Sequence, residues 1–467
     1  MIDALDTTLT TLARWSASVR FDDIPDAVLD VARRCAIDTV AVTLAGSATP
    51  VARQVRAVAM TTARAGDAGL IGSDASLCAP AAALVNAVAG HALDFDDNCN
   101  AGFVHGSVVI WPAALAVAQL GDLPGARLLT AFVVGAECQY ALAELLTRSV
   151  YDQGWWTTGL LGTLGACAAA CHGLGLGAER TAHAMGIALT GSGGLKAGFG
   201  TDAKTLMAGR ASEAGVLAAL LAAQGCSGPL DIVEHPRGLA AMFAGAEVTP
   251  IKALGRDWKL LSPGVDIKRI PVCLSSHAAV DALGKIMASQ RLGVSDIRHV
   301  VCDVPALVVQ NLTHDLPSTP QQAQFSMPFA LACSSIAGDL TLDSLSQATL
   351  EDPQIQALMR RIGMHTSARW TDALLGTAPE GAWVKVQTHD GRSFEGFCAR
   401  HRGSASQPLT ADELRSKFRQ CARRALAGDE AQALLQRLER LQQLPGTRAL
   451  FTPVAQPAER RLVSLDQ

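Results

Sequence analysis

Apolar residues recur at helical spacing through most of the first 260 positions. Between Asp23 and Gly46 they fall at Ile24, Val28, Val31, Ala32, Cys35, Ala36 and Val40, a stripe repeating every three to four residues. Pro80 to Phe95, Pro112 to Leu120, Ala126 to Leu146 and Leu160 to Leu174 read as further helices, broken by Gly or Pro. Lys204 to Gly225 is the clearest, with one polar stripe on an otherwise small and apolar cylinder. The pattern changes near Pro263. Val300 to Val309 and Trp383 to Gln387 alternate and are rich in β-branched residues, which predicts strands. His389, Asp390 and Gly391 form a turn signal before Ser393 to Cys398, which predicts a hairpin. Helices are predicted over Met327 to Ile336 and Pro353 to Ile362. Helical spacing returns at Thr410, where Thr410 and Glu413 form a capping box, and runs to about Gln443 with one interruption at Gly428. The last twenty residues carry two prolines and are expected to be loosely held.

The predicted fold is mostly α: a large all-helical domain, residues 1–262 and 406–467, with a smaller α+β domain, residues 263–405, inserted into it. Composition agrees with this. The chain has 467 residues, enough for two to three domains. Hydrophobic residues make up 49% and charged residues 18%, so a large core can form, and with aromatics at 4% the apolar mass is Ala, Gly and Leu, which suits closely packed helices. The net charge of −4 without a long basic run gives no reason to expect nucleic acid as a partner. The N-terminus carries Asp3 and Asp6 and no apolar core, so no signal peptide is expected. The least charged window, Gly154 to Ala178, is long enough to cross a bilayer but is full of Gly, Thr and Cys, and reads as a buried bundle helix rather than a membrane span. Twelve cysteines without any CxxC suit reduced thiols and a cytoplasmic setting, and neither a zinc ribbon nor an iron–sulfur cluster.

The densest chemistry lies in HALDFDDNCNAGFVHGS, residues 91–107, with two histidines and three carboxylates. His91, Asp94 and Asp97 are spaced three apart and would share one face of a helix. Asn98 to Gly102 then reads as a loop, and His105 precedes the next apolar run. Acids and a histidine at such a corner suit proton transfer. The same residues also fit a capped helix end with solvated aspartates. Calcium binding fails, because in the two possible registers positions six and twelve of an EF-hand loop would be Cys99 and His105, or Ala101 and Ser107.

Several segments together resemble the MmgE/PrpD family, which includes 2-methylcitrate dehydratases, cis-aconitate decarboxylases and iminodisuccinate epimerases. HALDFDD (91–97) resembles its acidic motif, and His105 the His of its H-P-S/T element. LGTLGACAAACHGLGL (161–176) resembles its glycine/alanine helix. TDAKTLMAGRASEAGVLAALLAAQGCSGP (201–229), IKRIPVCLSSHAAVDAL (267–283) and AQFSMPFALA (323–332) follow in the expected order. The resemblance implies a helical domain with an inserted α+β domain, an active site between them, a homodimer, and catalysis without metal or cofactor.

It also implies substrates that are small di- or tricarboxylates, which need cations. Lys204, Lys268 and Arg269 are the residues it suggests, and Arg can bind a carboxylate bidentately. His277 follows Ser275 and Ser276 at a predicted helix start, where the dipole would keep it neutral and able to take a proton. His105 is the second proton carrier, with Asp94 and Asp97 orienting a histidine or holding substrate. The chain departs from the family pattern at four places. Trp156 stands where a functional His often sits, Phe329 where a Tyr often stands, Asn98 replaces a Thr and Gly106 a Pro. Asn98, Trp156 and Phe329 are then expected to shape a bulkier, more apolar substrate site.

The expected catalytic set is therefore His277, His105, Asp94 and Lys204, and the expected substrate contacts are Lys268, Arg269, Asp97, Asn98, Trp156 and Phe329. The expected reaction begins with proton abstraction next to a carboxylate. Loss of water comes first, as in the 2-methylcitrate dehydratases. Epimerisation of an iminodisuccinate-like substrate comes second and decarboxylation third. Outside enzymes, the alternative is an inactive dimeric binding protein.

Overall fold

The computed structural model describes residues 6–243, 251 and 253–451, without the side chains of residues 147–149. The expectation for the last twenty residues falls mostly on 452–467, outside the described residues. The protein is mostly α, with a small mixed sheet in its C-terminal part.

Asp26–Gly46, Ala79–His91, Ser107–Leu120, Gly125–Asp152, Thr157–Leu174 and Asp202–Ala223 form one packed layer system. Small residues make this closeness possible. A Cβ at Gly215 of the last helix would lie 2.5 Å from the Ala166 side chain and 2.6 Å from the Cys167 backbone nitrogen. Side chains there would push the two helices apart. Among the described helices, Gly125–Leu146 and Asp202–Ala223 contain windows long and apolar enough to span a bilayer. The first is almost wholly enclosed by the protein, whereas Leu206, Leu217 and Leu221 of the second are exposed.

The hydrophobic residues fall into two clusters. One runs from Leu9 to Ile267 and is completed by Leu342 and by Leu409 to Leu450. The other spans Ile270 to Cys398. The second is built on a four-stranded sheet in the order Ile362–His365, Ile297–Asp303, Ala382–Thr388, Ser393–Cys398; the first pair is parallel and the others antiparallel. Ala382, Val384 and Val386 alternate into its core, as a half-buried strand should. The His277–Gln290 and Met327–Ala337 helices pack with this sheet region.

The sequence expectations need correcting at several element ends. The helix expected over Pro80 to Phe95 stops at His91, and Asp94 takes a left-handed φ of 48°. His91, Asp94 and Asp97 thus do not share a helix face. The strand expected through Val309 ends at Asp303; Pro305 then caps an Ala306–Asn311 helix, because proline fixes φ for a helix start and removes a ladder donor. Ile362 begins a strand instead of ending a helix. Gly428 starts the final helix, Gly428–Glu439, and the break lies before it. The Thr410 capping box forms as expected, with Thr410 N–H donating to Glu413 at 2.7 Å and Glu413 N–H to Thr410 Oγ1 at 3.2 Å.

The returning C-terminal segment also fixes the acidic corner. Lys417 of Ala411–Ala422 reaches into the helical layers, pairs with buried Asp38 at 2.5 Å and donates to the Phe95 carbonyl at 2.9 Å. A residue 322 positions away thereby holds the backbone between Asp94 and Asp96.

Candidate active site

Four short segments converge on the corner after His91. The left-handed turn at Asp94 sends its carboxylate to two lysines. Lys204 Nζ, from the first turn of Asp202–Ala223, donates to Oδ1 at 2.7 Å. Lys268 Nζ donates to Oδ2 at 3.1 Å and to the Asp94 carbonyl at 2.5 Å. Lys268 is only 1% exposed and Lys204 8%. Burial opposes the charge on each partner, but the ammonium groups outweigh it for Asp94, whose carboxyl is held far below the usual range. Asp94, with Asp96 adding, likewise overcomes burial to raise Lys268 above an ordinary lysine. The trio carries a net charge of about +1.

Asp96 turns the other way and serves both histidines. Its carboxylate lies 2.9 Å from His91 Nδ1 and 3.1 Å from His105 Nδ1. His105 Nδ1 is also 3.0 Å from the Asp97 carbonyl. Both neighbours of that nitrogen accept hydrogen bonds, so it carries the proton. In the neutral ring that leaves a lone pair on Nε2, on a residue lining the cavity. Burial, despite Asp96, lowers His91 to about 4, so His91 is a neutral donor to Asp96. A Cβ at residue 106 would meet the Tyr140 hydroxyl at 2.1 Å, so Gly106 lets the chain turn here against that ring.

These groups open onto a cavity of about 340 Å³. Asp94, Asn98, His105, Trp156, Lys204 and Lys268 line it from the helical side and its border, and Cys273, Asn311, His314, Phe325 and Glu380 from the α+β side. Trp156 packs beside His91 and His105, with ring centroids 5.2 and 6.3 Å away. Lys204 Nζ sits 5.1 to 5.7 Å from the Phe199, Phe325 and Trp156 rings. Glu380 accepts from the Ser275 hydroxyl at 2.5 Å, and its burial pushes its carboxyl above the usual range.

Four expected site residues lie elsewhere. Arg269 leaves the chain on the other side from Lys268 and pairs with Asp281 at 3.2 Å and Asp339 at 2.6 Å. Phe329 is fully enclosed in the second core; Phe325, before the Ser326 cap, is the phenylalanine at the cavity. His277 lies behind the wall, its Nε2 3.2 Å from the Val272 carbonyl and its ring 5.1 Å from that of His401. It is held neutral as expected, but burial is the main cause, followed by His401, and it does not face the cavity. The Asp97 side chain is buried behind the corner, 3.4 Å from the Ser107 amide, with its carboxyl raised to about 7 by burial and by Asp38. Asp97 meets His105 through its backbone carbonyl and not through its side chain. Asp96 stands in the same HALDFDD string but off the three-residue spacing of His91, Asp94 and Asp97, and Tyr151, Lys196 and Glu380 stand in no motif.

His91, Asp94, Asp96 and His105 bring ligand-type atoms within 4.8 Å of one another. As a metal site the set is poorly poised. Both Asp94 oxygens hold ammonium groups, and Asp96 engages the Nδ1 of both histidines. A divalent cation would have to displace or adjoin two fixed positive charges.

The depressed His91 makes stability depend on pH. The unfolded chain binds a proton near 6.5 and the folded chain near 4. The stabilisation is thus present above pH 6.5 and is lost as pH falls from 6.5 to 4, amounting to about 3 kcal/mol from this group. Chemical unfolding at pH 7 and pH 4.5 should show this loss, and His91→Gln should flatten that part of the profile. An unchanged slope in His91→Gln would remove His91 as its source.

The MmgE/PrpD N-terminal domain matches residues 10–251 and the MmgE/PrpD C-terminal domain residues 270–443. Among similar proteins, a cis-aconitate decarboxylase of Homo sapiens is 27% identical over 394 residues, covering 82% of this chain and 81% of that protein. Another, of Mus musculus, is 26% identical over 465 residues, covering 96% and 94%. A cis-aconitate decarboxylase of Aspergillus terreus is 24% identical over 437 residues, covering 88% of each. Two domains matched in order across most of its length show that the chain belongs to the MmgE/PrpD family.

Proposed function

We propose that this protein is a metal-independent lyase that removes carbon dioxide from a small unsaturated tricarboxylate of the cis-aconitate type. The observation that carries the reading is the cavity itself. It holds two buried ammonium groups on one carboxylate and a carboxylate-oriented histidine within one aromatic-lined space. Lys204 and Lys268 each have donors beyond those given to Asp94 and can take substrate carboxylates. The carbon–carbon bond to one carboxylate breaks and carbon dioxide leaves. The electron pair delocalises through the unsaturated carbons toward a remaining carboxylate held by the lysines. His105, in its cationic form with a proton on each nitrogen, then gives its Nε2 proton to carbon, and water restores that proton. Phe103, Trp156, Phe199 and Phe325 line the same space, and apolar walls favour neutral carbon dioxide over the carboxylate it comes from.

Dehydration of a hydroxy-tricarboxylate, placed first by the motifs, becomes the second reading. Glu380 supports it, because a carboxyl held above its usual range on the α+β wall could protonate a leaving hydroxyl. A panel of di- and tricarboxylates assayed for evolved gas and for new vinyl protons separates the two. Carbon dioxide from an unsaturated tricarboxylate is expected. A vinyl product without gas would replace the first reading by the second. Chelators should leave turnover intact, since the lysines on Asp94 compete with any cation. Loss of activity in EDTA, restored by a divalent ion, would contradict this.

A further inference from the structure

Lys204 and Lys268 share Asp94, but a third lysine at the same cavity has no such partner. Lys196 sits on the Lys196–Gly198 turn between two helices. The turn is pinned to the corner before Thr157. Lys196 N–H donates to the Gly154 carbonyl at 2.9 Å, Trp156 N–H to the Gly194 carbonyl at 3.0 Å, and Trp155 bridges to Leu195. The ammonium lies 3.6 Å from the centre of the Tyr151 ring and donates to the Tyr151 carbonyl at 3.4 Å. Tyr151 in turn packs on Phe103, 5.5 Å between centroids, and both rings line the cavity with Lys196. No carboxylate among the described residues comes within ion-pair distance of Lys196. Asp152 favours its charge from farther away, while burial lowers its pKa.

A partly dehydrated ammonium, aimed by an aromatic face and lacking an anion, is a site for an anion from outside. We infer that Lys196, held over Tyr151, binds the substrate carboxylate farthest from Lys204 and Lys268, and so makes the site select tricarboxylates over dicarboxylates. This rests on the polycarboxylate reading proposed above. Lys196 takes no part in the bond-breaking step. It sets which molecules fit by matching a third negative charge to a third positive one.

The test uses two unreactive probes of the same three-carbon backbone, tricarballylate and methylsuccinate, which lacks one terminal carboxylate, and measures their binding by calorimetry. The wild-type protein should bind tricarballylate at least about tenfold more tightly, the usual scale of a charge-assisted hydrogen bond. Lys196→Met should lose about ten- to a hundredfold for tricarballylate and little for methylsuccinate, so that the preference collapses. Lys196→Arg should keep it. Equal losses for both probes in Lys196→Met would show a structural role and overturn the inference. So would an unchanged preference, or equal binding of both probes by the wild type. If the wild type binds neither probe, the polycarboxylate reading itself fails, an outcome distinct from the others.

Discussion

Replacing His105 by glutamine lowers kcat by about two to four orders of magnitude, the usual share of a positioned proton donor. The fold survives, because the His105 amide still donates to Thr158 Oγ1 at 2.9 Å and Asp96 keeps its bond to His91. Substrate binding changes less than turnover, since the lysines that take the carboxylates are untouched. Asp96→Asn gives a smaller loss, about ten- to a hundredfold, as for other groups that orient a working histidine. It lowers kcat with little change in KM, because Asp96 aims the His105 ring and contacts neither Lys204 nor Lys268. A merely structural Asp96 would change stability and leave kcat in place. Steady-state kinetics of the two variants decides the matter. Near-wild-type kcat in His105→Gln would move proton transfer to another proton-capable group at the cavity, such as Glu380, His314 or Tyr151.

Lys268→Met has the second large effect, and it acts on two quantities. The ammonium is almost wholly enclosed and bonds Asp94 through both side chain and backbone. Breaking one side of a buried ion pair costs about 3–5 kcal/mol. Lys204 still holds Asp94 Oδ1, so the lower end applies, about 3 kcal/mol in chemical unfolding. Polycarboxylate affinity falls by about a hundredfold as well, because a charge-assisted contact is lost and the positive charge left on Asp94 drops to about zero. Lys268→Arg recovers binding only in part, since a planar fork cannot reproduce contacts to Asp94 O and Oδ2 from a site this enclosed. Wild-type KM with lowered stability would make Lys268 a purely structural ion.

How far the sequence could lead is seen best at adjacent residues. The HALDFDD string and the order of the matched segments pointed to the corner, and Asp94, Asn98, His105, Trp156, Lys204 and Lys268 do meet at one cavity. What the sequence did not carry was direction. Lys268 and Arg269 are neighbours, yet one reaches Asp94 and the other Asp281 and Asp339 on the opposite side. Phe325 and Phe329 are four apart, but the Ser326 cap lies between them and the helix turns the second into the core. Spacing by threes in His91, Asp94 and Asp97 suggested a helix face. The left-handed residue at Asp94 breaks that face and divides the acids between lysines and histidines. Glu380, Tyr151 and Lys196 stand in no recognisable string, because their role comes only from the approach of distant segments. The helical core was more legible than the sheet region. Its 3.6-residue periodicity persists over long segments, whereas Val308 and Val309 look like strand and lie in a short helix after Pro305.

His105 is the proposed donor of a single proton to the allylic carbanion that departing carbon dioxide leaves behind. The direct test is turnover of cis-aconitate in deuterated water, followed by proton and carbon NMR with the evolved gas measured in parallel. One carbon dioxide and one solvent deuterium per product are expected, the deuterium on a carbon of the allylic unit over which the electron pair spreads, with both signals falling together in His105→Gln. Conversion without gas, deuterium entering unreacted substrate instead of product, or full labelled turnover in His105→Gln would contradict this assignment.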